Sequence, residues 1–140
     1  MEGLKIELAQ EADIPAMLEL WRNTPGLGAG DDATSLAAFI ERNPGTCLLI
    51  RSGTAVISTV LGGFDGRRGY VYHLAVHPDF QRRGWGKKIL QEVVDRFGAL
   101  KAEKIHLFVF KDNQGAQAFY NRQAWIKRQD IEVFTVNPQK

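Results

Sequence analysis

The feature that most constrains the fold is a change of hydrophobic periodicity near the middle of the chain. Before it, apolar and β-branched residues form three strand-like runs separated by turn signals, "TCLLI", "TAVISTVLGGF" and "YVYHLAV". After it, a helical pattern begins near Gly84, and its apolar face contains Ile89, Leu90, Val93, Val94 and Phe97. Another strand-like run, "KIHLFVF" (104–110), follows this helix. Hairpins followed by a strand–helix–strand crossover predict a mixed sheet with helices on both faces.

The outer parts of the chain complete this α/β pattern. "LKIEL" predicts a first strand, and "DIPAMLELW" predicts a helix with Asp13 as its N-cap and Pro15 in its first turn. A second helix ends at "NPG", a short helix begins near Asn113, and "WIKRQDIEVFTV" (125–136) is typical of a terminal pair of strands. The predicted order is β-α-α-β-β-β-α-β-α-β-β, in a twisted and mostly antiparallel sheet.

Length and composition exclude several classes of protein. At 140 residues, the chain is predicted to form one domain over residues 1–140. A net charge of +2, with no secretory signal and no long apolar run, leads us to expect a cytoplasmic protein that binds neither nucleic acid nor membrane. The single cysteine, Cys47, excludes an internal disulfide and a cysteine-based zinc cluster. His73 and His77 would lie about 13 Å apart on a strand, so we expect no metal site. His73 is interpreted as a packed or hydrogen-bonded residue, with a proton-relay role as the alternative.

The segment "HPDFQRRGWGKKIL" (77–90) joins a predicted strand to the central helix. The first turn of a helix has free backbone N–H groups and the positive end of the helix dipole, and glycines let an anion approach the backbone closely. Basic side chains at Arg82, Arg83, Lys87 and Lys88 add positive charge. Together these features predict a diphosphate site. The alternative is that the glycines only form a tight turn and the basic side chains are solvated. The segment matches neither the Walker pattern nor the dinucleotide fingerprint.

The same segment, with the strand before it, resembles the acetyl-coenzyme A loop of the GCN5-related N-acetyltransferases. That family has the pattern [Q/R]-x-x-G-x-[G/A] after an "L-A-V-x-P" strand, and here Gln81, Gly84 and Gly86 occupy its three positions. The order of predicted elements is also similar to that of the family along nearly the whole chain.

A second resemblance to the family lies about 30 residues further on. "NQGAQAFYNRQAW" is similar to the family's N-x-x-A-x-x-x-Y pattern, which a small residue and an aromatic residue follow. Asn113, Ala116 and Tyr120 fill this pattern, and one predicted strand separates it from the loop. Ala124 stands where the family usually has glycine, which puts the shape of that turn in question.

The resemblance implies an N-acetyltransferase that moves the acetyl group of acetyl-CoA to a primary amine of a small molecule or a peptide, without a metal. It implies that the pyrophosphate of the coenzyme binds the backbone of Arg82–Lys87. It also implies that the pantetheine arm pairs with the strand at Leu74–Val76, where two parallel strands splay apart. The residues that the resemblance assigns to the cofactor are Leu74, Ala75, Val76, Gln81, Arg82, Arg83, Gly84, Trp85, Gly86, Lys87 and Asn113.

The resemblance also assigns the chemical step to Tyr120, whose hydroxyl would act as general acid and protonate the departing thiolate of CoA. The alternative is that Tyr120 only packs within its helix. Some family members have a glutamate as general base where this chain has Tyr70, and neither neighbouring strand contains a carboxylate. Deprotonation of the amine through water, or an acceptor of low pKa, remains open.

The alternative function is a non-catalytic module that binds acetyl-CoA as a sensor or in partner recruitment; Tyr120 in its expected place argues against it. The pattern leaves open the acceptor, whether another acyl-CoA is the donor, and whether the protein is a monomer or a homodimer. Asp31 and Asp32, before the second helix, are interpreted as caps of that helix, with contact to a cationic substrate as the alternative.

Overall fold

The computed structural model describes residues 4–25, 27 and 32–139. Its strands and helices are β1 (Ile6–Leu8), α1 (Ile14–Arg22), α2 (Ala33–Arg42), β2 (Cys47–Ser52), β3 (Ala55–Phe64), β4 (Arg68–Val76), α3 (Trp85–Ala99), β5 (Lys104–Leu107) and α4 (Gln114–Arg122). Two single 3-10 turns precede α1 and α3, at Glu11–Asp13 and Pro78–Phe80. The order of the helices and strands from β1 to α4 confirms the predicted order up to that point.

The five strands form one mixed sheet in the order β1-β2-β3-β4-β5. The first four strands pair antiparallel, and β5 pairs parallel with β4. Short turns join β2 to β3 and β3 to β4, whereas α1 and α2 lie between β1 and β2 in the chain. Gly53, in the turn between β2 and β3, has a φ of 63°. The predicted sheet, mixed and mostly antiparallel, is therefore confirmed.

The two faces of the sheet are covered by different helices. One face packs against α1 and α2 in a cluster of buried residues: Ala9, Ile14, Met17, Leu20, Trp21, Leu36, Ile40, Cys47, Leu49, Val56, Leu61 and Ala75. The alternate residues of the strands, such as Leu48 and Ile50, point to the other face, since side chains alternate along a strand. Helix α3 lies there against β2, β3 and β4, and its Phe97 is fully buried. Helices on both faces were predicted, and the structure confirms them.

Asp13 and Asp32 differ in what their carboxylates do. Asp32 caps α2, because its Oδ1 accepts a hydrogen bond from the Ser35 backbone N–H at 2.7 Å. Asp13 occupies the N-cap position of α1, as predicted, but its side chain makes no capping hydrogen bond there. Its backbone already belongs to the preceding 3-10 turn, and its carboxylate accepts hydrogen bonds from the Gln10 N–H and from Arg51. Asp31 and most of the glycine-rich loop before it lie outside the described residues.

The predicted terminal pair of strands is absent: residues 125–139, all described, form no strand. The apolar side chains that suggested strands are exposed instead, with Ile126 at 84% and Phe134 at 93%. An alternating pattern forms a strand only when a neighbouring strand pairs with its backbone, and this segment pairs with none within the described chain.

The chain divides into two compact units, Met1–Phe108 with the sheet and Val109–Lys140 with α4. No helix among the described residues is both long and apolar enough to cross a membrane.

Candidate functional site

Strand β4 contains a bulge in the middle of its pairing with β3. Thr59 pairs with Ala75 and Leu61 pairs with Tyr72, so two residues of β4, His73 and Leu74, lie opposite one residue of β3. His73 has a φ of 51°, in the left-handed region that a histidine seldom adopts. An extra residue of this kind bends the strand and changes the direction of the residues that follow.

Beyond the bulge, β4 has an open edge on the side of β5. The parallel pairing covers four residue pairs and ends at Val71 and Leu107. No strand of the described chain pairs with Tyr72–Val76 on that side. The two strands named by the resemblance therefore part where it expects them to splay.

Side-chain hydrogen bonds show which backbone groups point toward this open edge. The carbonyl oxygens of His73 and Ala75 accept hydrogen bonds from the Thr59 and Ser58 hydroxyls of β3, at 2.9 and 2.8 Å. Neighbouring residues of an extended strand direct their carbonyls to opposite edges, so the carbonyls of Leu74 and Val76 point away from β3.

The Val76 carbonyl accepts a hydrogen bond from Gln81 Nε2 at 2.9 Å, which agrees with that direction. Gln81, assigned to the cofactor by the resemblance, therefore also binds the backbone of the last residue of β4. The sequence did not indicate this contact.

The turn between β4 and α3 has the backbone that its glycine predicts. Gly84 precedes α3 with a φ of 87°, and a Cβ built on it would have no neighbour within 4 Å. Gly84 is the N-cap residue of α3 and has no side chain that could cap its first turn. Arg82, two residues earlier, also has a positive φ of 66°. The space beside the Gly84 backbone, at the N-terminus of α3, is therefore open, and no N-cap side chain occupies it. An anion that binds a helix N-terminus needs such space.

The basic and aromatic side chains of this turn are paired with one another. Arg83 lies over the Phe80 ring, with Cζ 5.6 Å from its centroid, and the Lys88 ammonium lies 5.0 Å from the Trp85 ring centroid. Trp85 is only 7% exposed, and its indole N–H has no hydrogen-bond partner among the described residues. Arg82 and Lys87 are exposed to solvent. Positive charge thus surrounds the start of α3.

The second motif lies in the unit that contains α4. Asn113 caps α4, since its Oδ1 accepts a hydrogen bond from the Ala116 N–H at 3.0 Å. The Tyr120 ring packs edge-on against Phe119 and Trp125, with centroid distances of 5.1 and 5.8 Å. This burial raises the pKa of the Tyr120 hydroxyl to about 12.

Ala124 adopts a φ of 66° in the turn after α4, the conformation for which glycine is suited. The Trp125 N–H donates to the Tyr120 carbonyl at 3.0 Å across this turn. The alanine therefore keeps the glycine-type turn, at a cost of about 1–2 kcal/mol in backbone free energy.

The neighbours of β4 show what the sequence could not assign. The Tyr70 ring lies 5.7 Å from His106 on β5, and His73 packs edge-on against Trp21 of α1 at 4.5 Å. The contact with Trp21 confirms that His73 is packed.

The described residues contain no group of three or more histidine, cysteine, aspartate or glutamate side chains placed to hold a metal ion. Sequence reasoning missed Trp21, Ser58 and Thr59, because nothing in their local sequence indicates the distant carbonyls and rings that they contact.

Comparisons with known proteins agree with this architecture. An acetyltransferase of Pectobacterium atrosepticum is 28% identical over 120 residues, which cover 85% of each chain. The PaiA N-acetyltransferase of Thermoplasma acidophilum, solved with coenzyme A, superposes with a TM-score of 0.77 at 15% identity, over 86% of this chain and 88% of that one. An aminoglycoside acetyltransferase from an uncultured soil metagenomic sample, solved with sisomicin, gives a TM-score of 0.74 at 19% identity over 97% of both chains. The sequence profile of the acetyltransferase (GNAT) family matches residues 14–125. With the bulged, open β4 strand and the glycine turn before α3, this match establishes that the chain belongs to the acetyltransferase (GNAT) family.

Proposed function

We propose that the protein acetylates a primary amine of a small molecule or a peptide, with Tyr120 as general acid. As a GNAT acetyltransferase, it takes the acetyl group from acetyl-CoA. The observation that supports the site most directly is the continuity of the open edge of β4 with the uncapped start of α3. A ligand with an extended amide-bearing arm and a diphosphate needs backbone partners for its amides and N–H donors for its phosphates. The edge of β4 offers the first and the start of α3 offers the second.

The backbone of β4 is proposed to bind the pantetheine arm. Leu74 and Val76 direct their backbone groups away from β3, so amides of the arm can pair with them as an added strand would. The Val76 carbonyl is shared with Gln81.

The turn before α3 is proposed to bind the diphosphate. The backbone N–H groups of Arg82–Lys87 donate to its oxygens, and Gly84 leaves the space for a close approach.

Tyr120 is proposed to supply the proton for the leaving group. The amine nitrogen attacks the thioester carbon, the C–S bond then breaks, and the sulfur takes the phenolic proton. A pKa of about 12 keeps the hydroxyl protonated throughout the neutral range. Transfer from such a phenol to a thiolate of pKa near 8.5 is uphill, so the proton released by the acetylated nitrogen must restore the phenol for the transfer to be completed. Tyr120 then ends the cycle unchanged.

The acceptor is proposed to be an amine that reaches the site partly deprotonated. The strands β4 and β5 contain no carboxylate that could serve as a base, so the amine proton leaves through water or the amine has a low pKa. Amine acceptors are consistent with the solved relatives, one of which is an aminoglycoside acetyltransferase bound to sisomicin.

Two measurements test the proposed function. Calorimetry should show that acetyl-CoA binds at least about tenfold more tightly than ADP, because only acetyl-CoA carries the arm that pairs with β4. Equal affinities would contradict the proposed arm site.

Turnover is then sought by thiol release with amines, amino acids and peptide N-termini, and with longer acyl-CoA donors in parallel. The assay has a low background because Cys47, the only protein thiol, is fully buried and its pKa is raised to about 12. Tight binding without turnover on any amine would favour a binding module.

A further inference from the structure

We propose that Trp21 and Thr59 are positioning residues that hold the bulge of β4 and thereby direct the backbone of Leu74–Val76 toward the acetyl donor. The inference rests on the proposed function of that segment. It adds two residues to the site, one from α1 and one from β3, neither of which belongs to the family motifs quoted above.

The contacts form a short chain of buried hydrogen bonds. Trp21 Nε1 donates to Thr59 Oγ1 at 2.8 Å, and the Thr59 hydroxyl donates to the His73 carbonyl at 2.9 Å. Thr59 is fully buried and Trp21 is 8% exposed. The His73 ring also packs edge-on against Trp21 at 4.5 Å. The left-handed residue of the bulge is therefore held through its carbonyl and through its ring.

The bulge needs such support because its backbone is unfavourable by itself. A histidine with a φ of 51° is higher in backbone free energy than the same residue in an extended conformation. If the bulge relaxed into regular pairing, the register of the following residues would change by one. A change of one residue turns every later side chain to the opposite face. Ala75, which is buried in the core, and the carbonyls that point to the open edge would then exchange directions.

Thr59 is suited to this task because it satisfies a carbonyl that the bulge removes from regular strand pairing. A buried carbonyl without a partner costs free energy, so the hydroxyl stabilises the bulged form over the regular one. Trp21 in turn orients the hydroxyl, since its N–H occupies a lone pair of Oγ1 and leaves the hydrogen free to point at His73. The bond thus connects α1 to the direction of β4.

The test measures the affinity for acetyl-CoA and for ADP by calorimetry in Thr59→Val, which keeps the shape and removes the hydroxyl. We expect acetyl-CoA affinity to fall by about fivefold to tenfold, with ADP affinity unchanged within about twofold, because the diphosphate turn does not depend on the bulge. Thr59→Ser retains a hydroxyl and should restore acetyl-CoA affinity to within about twofold of the starting protein. Trp21→Phe, which keeps an aromatic ring, should also lower the affinity for acetyl-CoA and not that for ADP, by a smaller factor than Thr59→Val.

The matched control is Thr46→Val. Thr46 is also buried, and its hydroxyl donates to the Gly62 carbonyl at 2.6 Å, but this bond does not involve β4. Thr46→Val should lower the melting temperature as Thr59→Val does and leave both affinities unchanged. The proposal is overturned if Thr59→Val weakens both ligands equally, if it weakens neither, or if Thr46→Val has the same effect. Should the unaltered protein bind acetyl-CoA no better than ADP, the proposed arm site fails before any variant is compared.

Discussion

The two units of the chain bury their apolar side chains to very different extents. Every buried hydrophobic residue described lies between Ala9 and Phe97, in the unit that carries the sheet. In the other unit, no residue of α4 is fully buried, Tyr120 is only partly buried, and Phe134 and Val136 are almost fully exposed.

The segments proposed to bind the donor and the residue proposed as general acid therefore have different kinds of support within their own units. The bulge of β4 and the start of α3 are held by a packed core and by buried hydrogen bonds. Tyr120 lies in a helix of nine residues that Asn113 caps, and it packs against Phe119 of that helix and Trp125 after it. We therefore expect donor binding to depend on packing in the first unit, and the chemical step to depend on single polar groups in the second.

The largest expected effect is that of Tyr120→Phe. This change removes the hydroxyl and keeps the ring that packs against Phe119 and Trp125. Turnover should fall by about 10²–10⁴, the usual share of general acid catalysis, while acetyl-CoA affinity stays nearly constant. Steady-state kinetics with an accepted amine, together with calorimetry, measure both quantities. A full-rate Tyr120→Phe enzyme would remove Tyr120 from the mechanism and leave it as a packing residue.

The core of the sheet unit is tested by Gly62→Ala. A Cβ at Gly62 would lie 2.8 Å from the Thr46 carbonyl and 2.9 Å from the Phe97 ring, and both neighbours are buried. Overpacking of this kind should lower the free energy of unfolding by about 1–3 kcal/mol in urea denaturation. Gly45→Ala is the control, because a Cβ there has no neighbour within 4 Å. Equal stability of the two variants would show that the sheet adjusts around Gly62.

The diphosphate turn is tested by Gly84→Asp and Gly84→Asn together. Both side chains tolerate a positive φ better than most and have nearly the same shape; they differ in charge and in the N–H donors of the amide. A carboxylate beside the diphosphate should weaken acetyl-CoA binding by at least about tenfold relative to the asparagine variant. Gly53→Asp has the same left-handed backbone in a distant hairpin and should bind normally. If aspartate and asparagine at position 84 bind equally well, the diphosphate does not lie at that turn.

Alkaline pH should destabilise the fold through Cys47, which is fully buried, and through Tyr120, which is partly buried. Burial raises the pKa of the Cys47 thiol from 9.0 to about 12, and that of the Tyr120 hydroxyl from 10.0 to about 12. The unfolded chain therefore releases these protons at lower pH than the folded chain does, so the free energy of unfolding falls as pH rises from about 9 to 12. Urea denaturation at several pH values measures this slope. Tyr120→Phe should reduce it above pH 10, and an unchanged slope would mean that the hydroxyl is not desolvated.

The smallest expected effect is that of Phe134→Ser. Phe134 is 93% exposed, so the free energy of unfolding should change by less than about 0.5 kcal/mol. Sedimentation of the unaltered protein and the variant gives the oligomeric state at the same time. A clear loss of stability, or a change of molecular mass, would show that a second copy of the chain covers this segment in solution.

Sequence reasoning was most accurate where a local pattern is sufficient. The positions of β3, β4 and α3, and the glycine turn before α3, were predicted from periodicity and from the conformation that Gly84 allows. The predicted strands at 125–136 were wrong, because alternation describes which residues favour a strand but not whether another strand is present to pair with them. The N-cap position predicted for Asp13 was correct, but its carboxylate makes no capping bond, since the Gln10 N–H and Arg51 bind it instead.

By itself, the sequence determined the family, the order of elements from β1 to α4 and the glycine turn before α3, because these depend on residues that are close together along the chain. Only the tertiary structure decided where β4 leaves β5 and which carbonyls face the open edge. The bulge of β4 accepts a hydrogen bond from a residue 14 positions away, from Thr59 to the His73 carbonyl, and Trp21 donates to Thr59 across 38 positions. A hydroxyl or an indole N–H has no preferred distant partner until packing brings one within about 3 Å. The direction of the donor site is therefore a property of the folded core, while its chemistry was already present in the motifs.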